Sequence, residues 1–88
     1  MTYRILLVED DQSIRTVMAT AFGHDGHHVI EADSGETGIA LAASEEPDLA
    51  VIDLRLPGMD GIEVVQRLRL QYDIPLVFFF SSRGRHTR

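Results

Sequence analysis

The sequence predicts an α/β fold with a doubly wound parallel sheet, in which four strands alternate with three helices. Apolar runs at residues 5–8 and 49–52 are rich in branched side chains, as in parallel strands that are buried on both faces. A segment with helical periodicity follows each of these runs. Because right-handed crossovers place each helix on a face of the sheet, the pattern predicts the order β-α-β-α-β-α-β.

The first half of the chain contains two of the predicted strands and two of the helices. Residues 5–8 form the first strand, and residues 28–32 form the second. Ser34 is a suitable N-cap for the second helix. Between the two strands, residues 13–22 have the periodicity of an amphipathic helix. Its predicted core face consists of Ile14, Val17, Met18, Ala21 and Phe22.

The second half repeats the pattern. The third strand, at residues 49–52, ends in Asp53, and a loop follows it. Asp60 and Glu63 have the spacing of a capping box, which predicts the start of the third helix. Residues 76–80 are predicted to be the fourth strand. The inward residues of the third helix are predicted to be Ile62, Val65 and Leu68.

Composition excludes several classes of function. A chain of 88 residues, 44% hydrophobic and 25% charged, forms one small globular domain at most. Its formal net charge of -6 repels phosphates, so nucleic acid is not expected as a direct partner. The chain has no cysteine, which excludes disulfides and thiolate metal ligands. No signal peptide or bilayer-spanning apolar run is present, so we expect a cytoplasmic location without membrane binding.

Acidic residues follow two of the predicted strands. Glu9 and Asp10 come directly after the first strand, and Asp53 ends the third. If the first strand lies between the second and the third, these side chains converge in the crevice at the carboxyl ends of the strands. Such oxygen ligands match Mg²⁺, and an aspartate beside this cation can attack phosphorus. The alternative interpretation is that acidic residues after apolar strands are solvated loop residues or helix N-caps, as Glu9, Asp10 and Asp11 would be if taken alone.

Two segments carry a specific resemblance. Residues 5–11 (ILLVEDD) and 48–61 (DLAVIDLRLPGMDG) resemble the two signature segments of response-regulator receiver domains, at the expected separation. The resemblance implies a flavodoxin-like sheet, of which only the first four strands and three helices are present. It also implies a partial receiver domain over residues 1–80, which would accept a phosphoryl group from a histidine kinase or a phosphotransfer protein.

The resemblance also assigns roles to individual residues. It makes Asp53 the phosphoacceptor, and it makes Glu9 and Asp10 the acidic pair of a Mg²⁺ site that Asp53 shares. The backbone carbonyl of Arg55 corresponds to the third protein ligand of the metal. The loop that shapes the site corresponds to Pro57 and Gly58.

The resemblance weakens toward the carboxyl terminus. Family members end the fourth strand in a threonine or serine that contacts the phosphoryl group, but counting from Pro75 places Phe80 there. Ser81 or Ser82 could supply the hydroxyl only if the strand slipped. The family's lysine has no counterpart, because all eight basic residues are arginine. We expect residues 81–88 to be an unstructured tail, which could be foreign to the domain.

Several functions remain open from the sequence. The leading hypothesis is a signalling module whose reaction is phosphorylation of Asp53 and which is not otherwise an enzyme. A phosphohydrolase would need a second acid two residues later, where the chain has Arg55. A receiver-like module that only binds proteins is a third hypothesis, and an inactive truncated fragment is a fourth. The resemblance allows a homodimer of the complete domain.

Overall fold

A computed structural model describes residues 1–81 of the chain. Of the predicted tail, Ser81 is described and residues 82–88 lie outside the described residues. The secondary structure alternates strand and helix in the predicted order. The elements are β1 (Arg4–Val8), α1 (Gln12–His24), β2 (His28–Ala32), α2 (Gly35–Glu45), β3 (Leu49–Asp53), α3 (Gly61–Gln71) and β4 (Leu76–Phe79). Within residues 1–81, no helix is long and apolar enough to cross a bilayer.

The four strands form one parallel sheet in the order β2-β1-β3-β4. β1 therefore lies between β2 and β3, as predicted, and this order reverses the direction of winding after β2. Val8 at the end of β1 pairs with Ala32 of β2 and with Ile52 of β3. The carboxyl ends of these three strands consequently lie at the same edge of the sheet, where the acidic residues were predicted to meet.

The core has two layers, one on each face of the sheet. Side chains alternate along β1, so Leu6 and Val8 face α2 and α3, whereas Ile5 and Leu7 face α1. The α2 and α3 side is the larger layer, and it includes the buried residues Ile30, Ala42, Ala50, Ile52, Leu56, Val64 and Leu68. β1 is buried on both faces, as expected for a central parallel strand.

The predicted core face of α1 is partly wrong. Met18 and Phe22 pack against the sheet together with Ala19, but Val17 is 69% exposed and no residue of α1 is fully buried. The apolar stripe of α1 is wider than the part of the helix that touches the sheet. Its outer edge is uncovered within residues 1–81.

The inward face of α3 also differs from the prediction. Val64 and Leu68 are buried, whereas Ile62 is 56% exposed. The close approach of Gly61 to the end of β3 explains the orientation. A Cβ on Gly61 would collide with the backbone of Asp53 and Leu54, so the first turn of α3 lies against the strand end itself. This contact directs Val64 and Leu68, rather than Ile62, toward the sheet.

β4 is the last strand of the sheet in the described part of the chain. It pairs with β3 on one side, from Ala50↔Leu76 to Asp53↔Phe79. Its other edge bears no strand within residues 1–81, and Val77 and Phe78 are about half exposed. β4 is therefore an apolar edge strand.

Candidate functional site

Three carboxylates meet at the carboxyl ends of β1 and β3. One oxygen from each of Glu9, Asp10 and Asp53 lies within 4.8 Å of the others, and we call these residues the acidic cluster. Glu9 and Asp53 have no exposed surface, whereas Asp10 is half-buried. The structure thus brings together the acids that the sequence placed after the two strands. Two unit charges at about 4 Å repel by roughly 4 kcal/mol at an effective dielectric of 20, so the cluster favours a bound cation.

Hydrogen bonds hold the Asp53 carboxylate in one orientation. Its Oδ1 accepts from the backbone N–H of Arg55 at 2.9 Å and from the backbone N–H of Ser81 at 3.2 Å. Its Oδ2 accepts from the hydroxyl of Ser81 at 2.7 Å. Donors from the loop after β3 and from the segment after β4 therefore converge on this side chain.

The position of Ser81 corrects the count from Pro75. Ser81 is only 6% exposed and its hydroxyl lies on Asp53, whereas Phe80 is 67% exposed. β4 ends at Phe79, which pairs with Asp53 and accepts a hydrogen bond from Leu54 at 2.8 Å. Phe80 lies between the end of β4 and Ser81, outside the strand. The sequence count from Pro75 placed Phe80 at the position of the family's hydroxyl residue, and this is wrong. The count did not allow for one residue between the end of β4 and the residue that contacts Asp53.

Burial and the neighbouring acids shift the pKa of Glu9. Burial raises the pKa of its carboxyl from 4.5 to about 7, against the backbone N–H of Asp11, which lowers it. The charge of Asp53 and hydrogen bonds with Asp53 and Asp10 also raise the pKa. Without a cation, the Glu9 carboxyl is therefore partly protonated near neutral pH.

The pKa of Asp53 moves in the opposite direction. Burial acts to raise this pKa, but hydrogen bonds from the Arg55 N–H, from the Ser81 hydroxyl and N–H, and from Glu9 outweigh it. The net pKa lies below the ordinary value of 3.8. Asp53 is consequently a carboxylate at neutral pH, which is the form that can act as a nucleophile.

The loop between β3 and α3 contains the remaining predicted site residues. The Arg55 N–H contacts Asp53, and the Arg55 guanidinium carbon lies 5.7 Å from the centre of the Phe80 ring. Gly58 has a φ of 71°, a left-handed conformation that favours glycine, and Pro57 precedes it. The roles of the Arg55 carbonyl as a metal ligand and of Pro57 and Gly58 in shaping the site stay predictions.

Asp11 supports the site through two contacts, a helix N-cap, which was the alternative interpretation of this acidic run, and a contact with Glu9, which was not predicted. Its side chain caps α1 by accepting from the backbone N–H of Ile14 at 3.0 Å. Its own N–H donates to Oε2 of Glu9 at 3.0 Å. An aspartate three residues before a helical apolar position is a recognisable N-cap, so the sequence did contain a signal for the first contact. The second contact depends on the path of the chain after β1.

The acidic cluster has the donor set of a hard divalent cation. Carboxylate oxygens are the side-chain ligands that Mg²⁺ prefers, and it usually keeps several waters beside one or two carboxylates. Glu9, Asp10 and Asp53 supply such oxygens, and Asp10 remains partly open to solvent. The residues present therefore fit Mg²⁺.

The comparison with protein families agrees with the fold and with the acidic cluster. Residues 5–87 match the model of the response regulator receiver domain. The chain belongs to this family of two-component systems, and its order of strands and helices is the flavodoxin-like arrangement of receiver structures.

Curated relatives and a solved structure agree with this assignment. The chain is 44% identical over 73 residues to the transcriptional regulatory protein AfsQ1 of Streptomyces coelicolor, a match covering 83% of the chain and 32% of AfsQ1. It is 34% identical to sporulation initiation phosphotransferase F of Bacillus subtilis, covering 96% of the chain and 68% of that protein. The BeF3-activated receiver domain of Klebsiella pneumoniae RstA superposes with a TM-score of 0.85 at 33% identity, covering 93% and 70% of the respective chains.

The match covers only part of the transcriptional regulator. The chain spans about a third of the length of that protein. The predicted boundary between a domain over residues 1–80 and a tail after it stays a prediction.

Proposed function

We propose that this chain is the phosphoacceptor module of a two-component phosphorelay, in which Asp53 takes a phosphoryl group from a histidine kinase or a phosphotransfer protein. The observation that carries the proposal is the environment of Asp53. This carboxylate is buried, is anionic at neutral pH, and lies in hydrogen-bonding contact with Ser81 beside two further acids. Membership of the receiver family supports the same function.

The reaction follows from the state of this carboxylate. An oxygen of Asp53 attacks the phosphorus of a phosphohistidine, so that an O–P bond forms and the P–N bond breaks. The imidazole leaves with the bonding electron pair and takes up a proton, and Asp53 becomes an acyl phosphate. Glu9, Asp10 and Asp53 would hold Mg²⁺, with the Arg55 carbonyl as a further ligand. When bound, the cation offsets the negative charge that gathers between carboxylate and phosphoryl oxygens.

The surrounding residues prepare Asp53 for this step. The N–H groups of Arg55 and Ser81 fix the carboxylate plane, which reduces the entropy lost on reaching the transition state. Burial removes water from the nucleophile. We propose that the Ser81 hydroxyl, which rests on Asp53 in the unmodified chain, turns to a phosphoryl oxygen after transfer.

The main competing function is a module that binds proteins without being phosphorylated. Such a module would not need the hydrogen bonds that orient Asp53. Burial of the acidic cluster would also destabilise the fold without serving any function. The names of the relatives differ, one being a transcriptional regulator and another a phosphotransferase.

Labelling with a small phosphodonor tests the proposal. We expect the chain to gain one phosphoryl group from acetyl phosphate with Mg²⁺ and to lose it in hydroxylamine, as an acyl phosphate does. Asp53→Asn should abolish the label. Asp73→Asn removes an acid beyond the end of α3, away from the acidic cluster, and it should leave the label unchanged. A label that survives Asp53→Asn, or no label on a folded chain, would contradict the proposal.

A further inference from the structure

Arg15 of α1 contacts both the end of β1, next to the acidic cluster, and β2. Its Nη1 donates to the backbone carbonyl of Glu9 at 2.8 Å, and its Nε forms an ion pair with Oε1 of Glu31 in β2 at 3.2 Å. The Arg15 side chain is only 16% exposed. A guanidinium in this position contacts the end of β1 from the helix while it is anchored to β2.

The contact falls on the peptide unit that leads into the metal-binding residues. The carbonyl of Glu9 and the N–H of Asp10 belong to one planar peptide, so a hydrogen bond to this carbonyl fixes the plane from which Asp10 departs. Glu9 is also held through its N–H, which donates to Ala32 at 3.0 Å, and through its carboxylate, which accepts from Asp11. In the first of these three contacts the partner of Glu9 is a cationic side chain, that of Arg15. In the other two the partner is a backbone group, the carbonyl of Ala32 or the N–H of Asp11.

We infer that Arg15 is a positioning residue, which holds the Glu9–Asp10 peptide so that both carboxylates point toward one cation. The inference rests on the proposed function, because it assumes that the acidic cluster binds Mg²⁺. Arg15 acts through the backbone of Glu9, with Glu31 fixing the guanidinium in place, and contact with the cation or the phosphoryl group is not required.

The charge of Arg15 and its positioning of the carboxylates should change the Mg²⁺ affinity in opposite directions. A positive charge behind the cluster repels Mg²⁺, so its removal should tighten binding if charge alone matters. If Arg15 positions the carboxylates, its removal should weaken binding. Partners that orient metal ligands are typically worth a factor of about 10 or more in affinity. The direction of the change therefore distinguishes a positioning role from a purely electrostatic one.

Calorimetric titration of the full chain with MgCl₂ measures this direction. We expect Arg15→Gln to weaken Mg²⁺ binding by about tenfold. The matched control is Arg67→Gln, which removes an arginine that pairs with Glu63 at 3.0 Å on the exposed side of α3. This control should change the affinity by less than about twofold. High salt screens charge effects, so the loss in Arg15→Gln should persist in concentrated NaCl.

Arg15→Lys keeps the charge but replaces the guanidinium fork by a single ammonium, so we expect an affinity between those of the unaltered chain and Arg15→Gln. Circular dichroism melts confirm that each variant is folded, and Arg15→Lys becomes the test if Arg15→Gln does not fold. Unchanged or tighter binding in the folded variant would overturn the inference and leave the proposed function standing. Absence of Mg²⁺ binding by the unaltered chain would overturn both.

Discussion

The hydroxyl of Ser81 lies 2.7 Å from Oδ2 of Asp53, although 28 residues separate the two along the chain. Together with the Ser81 N–H, this hydroxyl lowers the pKa of the Asp53 carboxyl. The segment after β4 is thereby tied to the residue proposed to be phosphorylated. A change that removes the acceptor oxygens of Asp53 would break this contact.

Replacement of Ser81 tests this contact. We expect Ser81→Ala to raise the pKa of Asp53 and to slow phosphorylation by acetyl phosphate by roughly 10- to 100-fold, because one donor to a charged oxygen is lost. Ser81→Thr keeps the hydroxyl and should retain most of the rate. Ser44→Ala removes an exposed hydroxyl of α2 and serves as the control. Equal phosphorylation rates in Ser81→Ala and the unaltered chain would show that the Ser81 hydroxyl has no role in the reaction.

The raised pKa of Glu9 predicts a pH dependence of stability. Between about pH 4.5 and about 7, the unfolded chain releases the Glu9 proton while the folded chain retains it. The unfolded state then binds fewer protons, so the free energy of unfolding falls as the pH rises through this window. The loss attributable to Glu9 is on the order of 3 kcal/mol.

Urea unfolding in EDTA at several pH values measures this effect. Glu9→Gln should remove most of the decline, whereas Glu36→Gln, which replaces an exposed glutamate in the first turn of α2, should keep it. Comparison of the two variants separates the contribution of Glu9 from that of the other ionisable groups. A decline that is identical in both variants would show that Glu9 does not carry a raised pKa.

Gly61 tests how closely α3 must approach the site. A Cβ at this position meets the backbone of Asp53 and Leu54, so Gly61→Ala should destabilise the chain by about 2 kcal/mol or more and disturb Asp53. Gly23 in α1 has open space around its Cβ position. Gly23→Ala should therefore be neutral or stabilise the chain by up to about 1 kcal/mol. Thermal melts compare the two, and a harmless Gly61→Ala would contradict the packing of α3.

The edge of β4 predicts self-association of the 88-residue chain. Val77 and Phe78 are half exposed on a strand whose outer edge is unpaired within residues 1–81, and such an edge accepts another strand. Val77→Lys should reduce light scattering at high concentration. Val17→Lys adds the same charge to an exposed site on α1 and should have less effect. A monomeric chain with a sharp, reversible melt would contradict the prediction.

Much of the fold follows from local patterns in the sequence. The runs that form β1 and β3 are apolar on both faces, which specifies central parallel strands, and Ser34 and Asp60 cap their helices as predicted. The meeting of Glu9, Asp10 and Asp53 follows from the strand order, because parallel strands end at one edge of the sheet.

The errors of prediction lie where tertiary contacts decide. Val17 and Ile62 fit an apolar helical face, but a helix buries only the part of that face that its neighbours cover. Ser81 contacts Asp53 one residue beyond Phe80, which lies outside β4, and no local sequence pattern marks this single residue between the end of the strand and the site. The contact of Arg15 with Glu9 depends on the angle between α1 and β1 and has no signal in the spacing of the residues.

The most direct test of the central claim is phosphoryl transfer from a P–N bond. The chain is incubated with phosphoramidate and Mg²⁺, and the product is mapped by tandem mass spectrometry. We predict one hydroxylamine-labile phosphoryl group on Asp53, absent from Asp53→Asn and strongly reduced in EDTA. A folded, Mg²⁺-binding chain that stays unmodified, or that carries the group on another residue, would contradict the assignment of Asp53 as the phosphoacceptor.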